Sequence, residues 1–246
     1  MSETVPDRPG PTRRDELVAG LQSVRRRIED ACAAAGRVPQ DVRLIVVTKF
    51  FPVSDVVLLA GLGVRDIGEN RDQEAAAKLA ELPAHERSLL AVHFIGQLQS
   101  KKATSVARYA DAVHSVDRAK LVRVLDGAAG RAGRRLDVCV QVDLDPPGEG
   151  EGRGGSRPDD VARLADQVAE CEHLRLRGVM AVAPLGADPA PAFARLRTVA
   201  DAIRADHPEA TWISAGMSAD LEQAVAHGAT HLRVGSAILG SRPPLR

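Results

Sequence analysis

The sequence is short of lysine: of 33 basic side chains in 246 residues, only five are lysines and the other 28 are arginines. It is also short of aromatic residues, with one Trp, one Tyr and four Phe. Formal net charge is zero, which leaves no electrostatic footprint for nucleic acid or an anionic membrane. The three cysteines, Cys32, Cys139 and Cys171, are scattered and show no CxxC spacing. A disulfide framework and a zinc site are therefore not expected, and the thiols read as small apolar residues in a reducing cytoplasm. No window approaches the ~18 consecutive apolar residues of a membrane helix. Residues 1–12 contain Pro6, Pro9, Gly10 and Pro11 but no apolar core of a signal peptide. They read as a disordered tail ahead of one domain over 13–246. No internal repeat or coiled-coil heptad is present. The expectation is a soluble, cytoplasmic monomer with no metal, nucleic-acid or membrane partner.

What is present is alternation. Over 13–35 the apolar residues Leu17, Val18, Leu21, Val24, Ile28 and Cys32 recur at spacings of three and four, an amphipathic helix stopped by Gly36. Eight short apolar runs follow. The first is the strand 44–48; the others lie at 64–67, 89–95, 112–115, 136–142, 174–180, 211–214 and 230–234. Helical patterns come between them: 53–59 with Ser54 as N-cap, 72–82, 101–109, a stretch capped by Asp117 and running to Leu125, 159–170, 191–204, and 218–226 with Ser218 as N-cap. A glycine-rich loop spans 146–158. Regular alternation implies a parallel sheet with right-handed crossovers. Eight units in this length match a single (β/α)8 TIM barrel with an extra N-terminal helix. A doubly wound open sheet is the runner-up, and no GxGxxG follows the first strand to support it.

Barrel chemistry sits at the C-terminal ends of the strands. There the first strand, Leu44-Ile45-Val46-Val47-Thr48, runs into Lys49. A lysine in so apolar a run is costly to bury. Glu69 and Asn70 follow the second strand, and His93 ends the third. The seventh and eighth strands lead into Ser214-Ala215-Gly216-Met217-Ser218 and Arg233-Val234-Gly235-Ser236. Loops after strands seven and eight are where such barrels hold phosphate, and Gly and Ser suit that task with close backbone amides and hydroxyl donors. A desolvated lysine facing a phosphate site suggests a Schiff base with a phosphorylated aldehyde. Pyridoxal phosphate is the common one. A cofactor-free aldolase using the same lysine is the second reading.

The segments Val47-Thr48-Lys49, Gly68-Glu69-Asn70 with Gln73-Glu74, His93-Phe94-Ile95-Gly96 with Leu98-Gln99, Gly216-Met217-Ser218 with Asp220, and Arg233-Val234-Gly235-Ser236 with Ile238 and Gly240 together resemble the pyridoxal phosphate homeostasis protein family. This family is a single-domain relative of the alanine racemase N-terminal barrel. The resemblance runs over residues 15 to 242. It implies that Lys49 is the Schiff-base lysine. Ser214, Gly235 and Ser236, with the Gly216-Met217 backbone, would cradle the phosphate. Arg233 would lie near the pyridine nitrogen, and Asn70 and His93 would line the cofactor face. It also implies a part in supplying the cofactor to apo-enzymes. The chain departs from the family pattern at Thr48 (Ser), Arg71 (an aromatic) and Lys101 (Asn).

A pyridoxal-phosphate-dependent racemase is the main rival. Racemisation needs an acid/base group on each face of the substrate. Lys49 could be one. The chain stops about ten residues after its last strand, so the added β-domain tyrosine of alanine-racemase-like enzymes is not expected. The single tyrosine, Tyr109, falls at a helix end away from the mouth. An arginine facing the pyridine nitrogen also disfavours its protonation and weakens the electron sink. The expectation is a binder and carrier, with His93 as the one substitute base. Plainer readings stand beside these: a core role for His93, an ion pair of Arg233 with Glu69, packing for Met180 and Met217, and a solvated helix start for Lys101 and Lys102.

Overall fold

The computed structural model describes residues 10–145 and 154–241. The expected tail falls outside the described residues as far as residue 9. Thr12 is the N-cap of the first helix, α1 (Arg13–Ala34), in a reciprocal capping box with Asp15. Such a cap contributes about 1 kcal/mol. Its buried stripe is Leu17, Leu21, Val24, Ile28, Ala31 and Cys32.

Then come β1 (Arg43–Val47), α2 (Val53–Gly61), β2 (Asp66–Glu69), α3 (Asp72–Glu81), α4 (Ala84–Leu89) and β3 (Ala91–Phe94). The middle of the chain gives α5 (Ala103–Tyr109), β4 (Ala112–Val116), α6 (Ala119–Arg131), β5 (Leu136–Gln141) and α7 (Pro158–Ala169). The last part gives β6 (Leu174–Met180), α8 (Pro189–Asp206), β7 (Trp212–Ser214), α9 (Leu221–Ala226), β8 (His231–Val234) and α10 (Ser236–Leu239). The eight strands form one closed parallel barrel in sequence order. Closure runs through Leu44 opposite Leu232 and Val46 opposite Val234. A TIM-type barrel is therefore the fold, with α1 as the extra helix.

Differences from the sequence reading are local. The run 89–95 splits, because Pro83 starts α4 and the strand begins only at Ala91. The second strand is shifted to Asp66–Glu69, where Ile67 and Gly68 pair with Val46 and Val47. Neither Ser54 nor Ser218 is an N-cap: Pro52 and Asp220 hold those positions. Asp117 does not cap α6 either; Arg118 is the N-cap and donates to the Asp117 carboxylate. Much of the glycine-rich loop lies outside the described residues. Cys32 and Cys139 are buried, and burial raises both thiols above their usual pKa. Among the described residues no helix is long and apolar enough to cross a membrane.

Candidate functional site

Lys49 lies half-buried just past the C-terminal end of β1, at the mouth of the barrel. The backbone carrying it is pinned from both sides. The Thr48 hydroxyl donates to Glu69 Oε1 at 2.7 Å, and Lys78 Nζ donates to the Thr48 carbonyl at 2.8 Å. The amide of Phe50 donates to Glu74 Oε1. Phe50 has φ of 70°, a left-handed turn that a phenylalanine rarely adopts unless its surroundings impose it. Lys78 also donates to Glu69 Oε1 at 2.7 Å, so Glu69, with no exposed surface, is an anion with its own cation. Burial still holds the Glu69 carboxyl above its usual range, more strongly than Lys78 and Thr48 pull it down. Sequence reasoning missed this clamp. Its one signal is the i,i+4 spacing of Glu74 and Lys78 on α3.

The loops after β7 and β8 meet beside this mount. Gly235 packs on β1: a side-chain carbon there would lie 3.2 Å from the Val47 carbonyl oxygen. Gly216 has φ of +92°, and a side-chain carbon would meet Ala224 and Leu232 at 2.6 and 2.7 Å, so only glycine fits. The Ser236 hydroxyl lies 3.2 Å from that of Ser218, which also faces the Ala237 amide at 3.4 Å. The amides of Ser236 and Ala237 open α10 and have no intrahelical acceptor. Met217 is exposed rather than packed, and its amide donates to Asp220 Oδ1 at 2.5 Å. Met180 is core.

Helix α1 buttresses these loops from outside. Arg27 donates to the Ser218 carbonyl at 3.0 Å and pairs with Glu222 at 2.7 Å. Arg13 links Asp55 at 2.7 Å to the Leu239 carbonyl at 3.0 Å. Gly20 sits directly on Ile238, whose carbonyl oxygen would lie 2.6 Å from a side-chain carbon.

Ser214 is not at the mouth. It is fully buried inside the barrel, where its hydroxyl accepts from Arg233 Nη1 at 2.6 Å and contacts His114 Nδ1 at 2.8 Å. The hydroxyl that reaches the Gly/Ser loops is that of Ser218. Arg233 is buried and donates through Nη2 to the Ala181 carbonyl at 2.8 Å; Glu69 takes Lys78 instead. Burial lowers the Arg233 pKa to about 10, with Asp220 acting against it, so it stays a cation at neutral pH. His93 is core: Nδ1 meets His114 Nε2 at 2.9 Å and Nε2 meets Asp66 Oδ1 at 2.9 Å. Both nitrogens are engaged, which removes it as a ready base. His114 is held far below its usual pKa by burial.

Asn70 is at the mouth after β2, and its buried Oδ1 has no partner among the described residues. Lys102 is not simply solvated; it reaches Asp72 at 3.4 Å, while Lys101 is exposed. Tyr109 ends α5 and is buried, with burial first and then Asp72 and Glu69 raising its pKa. Among the described residues no group of three or more His, Cys, Asp or Glu is placed to hold a metal ion.

A lysine at the end of the first strand, beside two Gly/Ser loops of a closed eight-stranded barrel, defines a domain of the alanine racemase N-terminal type, whose family model matches residues 21–243. A pyridoxal phosphate homeostasis protein of Mycobacterium tuberculosis H37Rv is 45% identical over 248 aligned positions, covering 94% of this chain and 95% of that one. The solved structure of PipY from Synechococcus elongatus PCC7942, with pyridoxal phosphate bound, is 36% identical, covers 91% of this chain and 100% of its own, and superposes with a TM-score of 0.77. A crystal structure of an unknown protein from Bifidobacterium adolescentis is 30% identical, covers 94% of this chain and 98% of its own, and has a TM-score of 0.86. The chain belongs to the pyridoxal phosphate homeostasis protein family.

Proposed function

We propose that the chain holds pyridoxal 5'-phosphate on Lys49 and serves the intracellular supply of that cofactor. The observation that carries this is the contact of Gly235 with Val47, which sets the Ser218–Ser236 hydroxyl pair beside the clamped peptide of Lys49. Two further features fit the group. Asn70 Oδ1 is a buried acceptor in need of a donor. The Ser236 and Ala237 amides at the start of α10 have no intrahelical acceptor, and the Ala237 amide meets only the Ser218 hydroxyl, at 3.4 Å, among the described residues. PipY, with the same cofactor bound, shares the fold and 36% of the sequence.

Lys49 would supply the amine nucleophile for the cofactor's aldehyde. Ser218, Ser236 and the 216–217 and 235–237 backbone would hold the phosphate. Arg233 lies below with a fixed positive charge. The cofactor's ring, when bound, offers an electron sink whose strength depends on a protonated pyridine nitrogen. Arg233, as a cation near the ring, would disfavour that proton. His93 and Tyr109, the two candidates for a second acid/base group, are both buried. This supports holding and release to apo-enzymes, met transiently in the cytoplasm by a monomer, over turnover of an amino acid.

Borohydride reduction tests it. Wild-type protein loaded with pyridoxal phosphate should absorb in the near-ultraviolet to visible range, and after reduction a peptide containing Lys49 should carry the cofactor's mass. Lys49→Ala should lose the covalent label while keeping weak, phosphate-dependent binding. A label on another lysine, or none, would refute the assignment. Exchange of the α-hydrogen of alanine for deuterium at enzyme-like rates would instead establish the racemase.

A further inference from the structure

The end of the barrel opposite Lys49 carries a cleft that the reading above leaves unused. It lies at the N-terminal ends of β1, β7 and β8 and has a volume of about 700 Å³, within the range of small-molecule sites. Five arginines line it, Arg37, Arg43, Arg177, Arg197 and Arg204, against one lining carboxylate, Asp41. Three of the five have an acid nearby: Asp66 at 3.1 Å from Arg43, Asp201 at 2.7 Å from Arg197 and Asp137 at 3.9 Å from Arg177. Arg37 donates only to the Val225 and Ala229 carbonyls, each at 2.8 Å, and Arg204 has no carboxylate partner among the described residues.

Three buried nitrogens on this wall have no hydrogen-bond partner among the described residues: Arg177 Nε, whose Asp137 contact is at 3.9 Å, Arg204 Nε and His231 Nε2. The arginine groups are N–H donors by nature. His231 is assigned by its neighbour. Thr230 Oγ1 accepts the Ile213 amide at 2.8 Å, then has one proton to give, and His231 Nδ1 at 2.9 Å is nearer than the Ile213 carbonyl at 3.4 Å. Nδ1 therefore accepts, and the neutral ring carries its proton on Nε2. Burial first, then His93 and then the charge of Arg43 and Arg177, against Asp66, keeps this ring neutral, with a pKa lowered to about 3. The three are thus all donors that lack a hydrogen-bond acceptor among the described residues, in residues that line one cleft. Guanidinium groups match the oxygens of a phosphate in geometry as well as charge. Trp212 does not offer a stacking platform, because its ring is engaged by His231 at 4.2 Å and Arg177 at 4.9 Å.

We propose that this cleft is a second binding site, for a small phosphorylated anion whose phosphate sits against Arg177, Arg204 and His231 Nε2. Its volume exceeds that of a bare phosphate, so the ligand carries a second phosphate or a small organic part.

Trp212 is the chain's only tryptophan and stands in the cleft wall, so its fluorescence reports on this site alone. Titrating the whole protein with pyrophosphate, at an ionic strength held constant with sodium chloride, should give a saturable change. Arg204→Gln and, separately, Arg177→Gln should each weaken it at least tenfold while the circular dichroism spectrum stays native. Ser218→Ala, at the opposite mouth, should leave it unchanged. No cofactor is used, so the result is independent of the reading of Lys49. The proposal fails if no saturable change occurs, or if Ser218→Ala abolishes the response and Arg204→Gln does not. It fails equally if citrate binds as tightly as pyrophosphate, since phosphate is then not what the cleft selects.

Discussion

Ser214 accepts a hydrogen bond from Arg233 Nη1 at 2.6 Å and must pass its own single proton on. His114 Nδ1, at 2.8 Å, is where it goes. A neutral His114 then bears its proton on Nε2 and donates to His93 Nδ1, and His93 Nε2 donates to Asp66, which Arg43 also holds. Hydroxyl and imidazole protons admit one consistent direction. Arg233, beneath the mouth, is thereby connected to a carboxylate near the far end of the barrel by four side-chain hydrogen bonds.

That chain separates two serines that look alike in sequence. Ser214→Ala leaves His114 Nδ1 and an Arg233 N–H unpaired in the interior, which should cost about 1–3 kcal/mol in urea unfolding. Ser218→Ala should leave unfolding within ~0.5 kcal/mol and weaken cofactor retention about tenfold. The reverse pattern would return Ser214 to the phosphate.

Among the described residues Lys78 is the sole cation on a fully buried Glu69. Lys78→Met should destabilise by about 3–5 kcal/mol, because an unpaired buried carboxylate remains. Adding Glu69→Gln should recover much of the loss. Denaturant midpoints of the two variants decide the matter; a loss under ~1 kcal/mol would mean that the clamp does not hold Thr48 in place.

At Gly20 the usual helix rule should invert. Glycine to alanine in an exposed helix gains up to about 1 kcal/mol. Here the added carbon would meet the Ile238 carbonyl at 2.6 Å and its Cα at 2.9 Å, so α1 must move off α10. Overpacking costs about 1–3 kcal/mol. Gly20→Ala should lower the melting temperature and weaken cofactor retention together; a rise in melting temperature would show that α1 yields freely.

Acid should unfold the protein early. His114 and His231 are both held below the usual histidine pKa, chiefly by burial, His231 at about 3. As pH falls below ~6.5 the unfolded chain takes up protons at these sites and the folded one does not, so stability drops by up to ~1.4 kcal/mol per pH unit for each. Asp66 works in the same sense lower down. Burial pushes it up, but His93 and Arg43 outweigh that, so its contribution is lost once the pH falls through its lowered value. Glu69, raised by burial, opposes the trend near its own pKa. Urea midpoints from pH 7 to pH 4 should show the slope, and His231→Asn should flatten it by about one proton. A midpoint that stays level would contradict the buried, neutral assignment.

The barrel was legible because each strand is a short apolar run between helical periods, a pattern only a few architectures satisfy. Lys49 stood out as a charge at the end of such a run. Other features hide from one-dimensional reading. Whether Ser214 or Ser218 meets the mouth depends on how a three-residue strand tilts in the barrel wall. His93 and His114 meet across adjacent strands, 21 residues apart, and nothing in their spacing says that they point at each other. The helix α4 is six residues long and too brief for a periodic signal, so its leucine merged with the next strand. The arginines of the basal cleft come from a loop, two strands and one helix, and no segment alone looks basic.

The ring closes by pairing β1 with β8, and α1 lies across α10. The segments that frame Lys49 are therefore among the most distant in sequence. Such non-local closure is slow to form. During synthesis the lysine emerges some 190 residues before the glycine that packs beside it, and for that interval it has no pocket to belong to. On the proposed function, competence to keep a reactive aldehyde out of circulation would thus arrive late in folding, at the step that locks the first strand to the last.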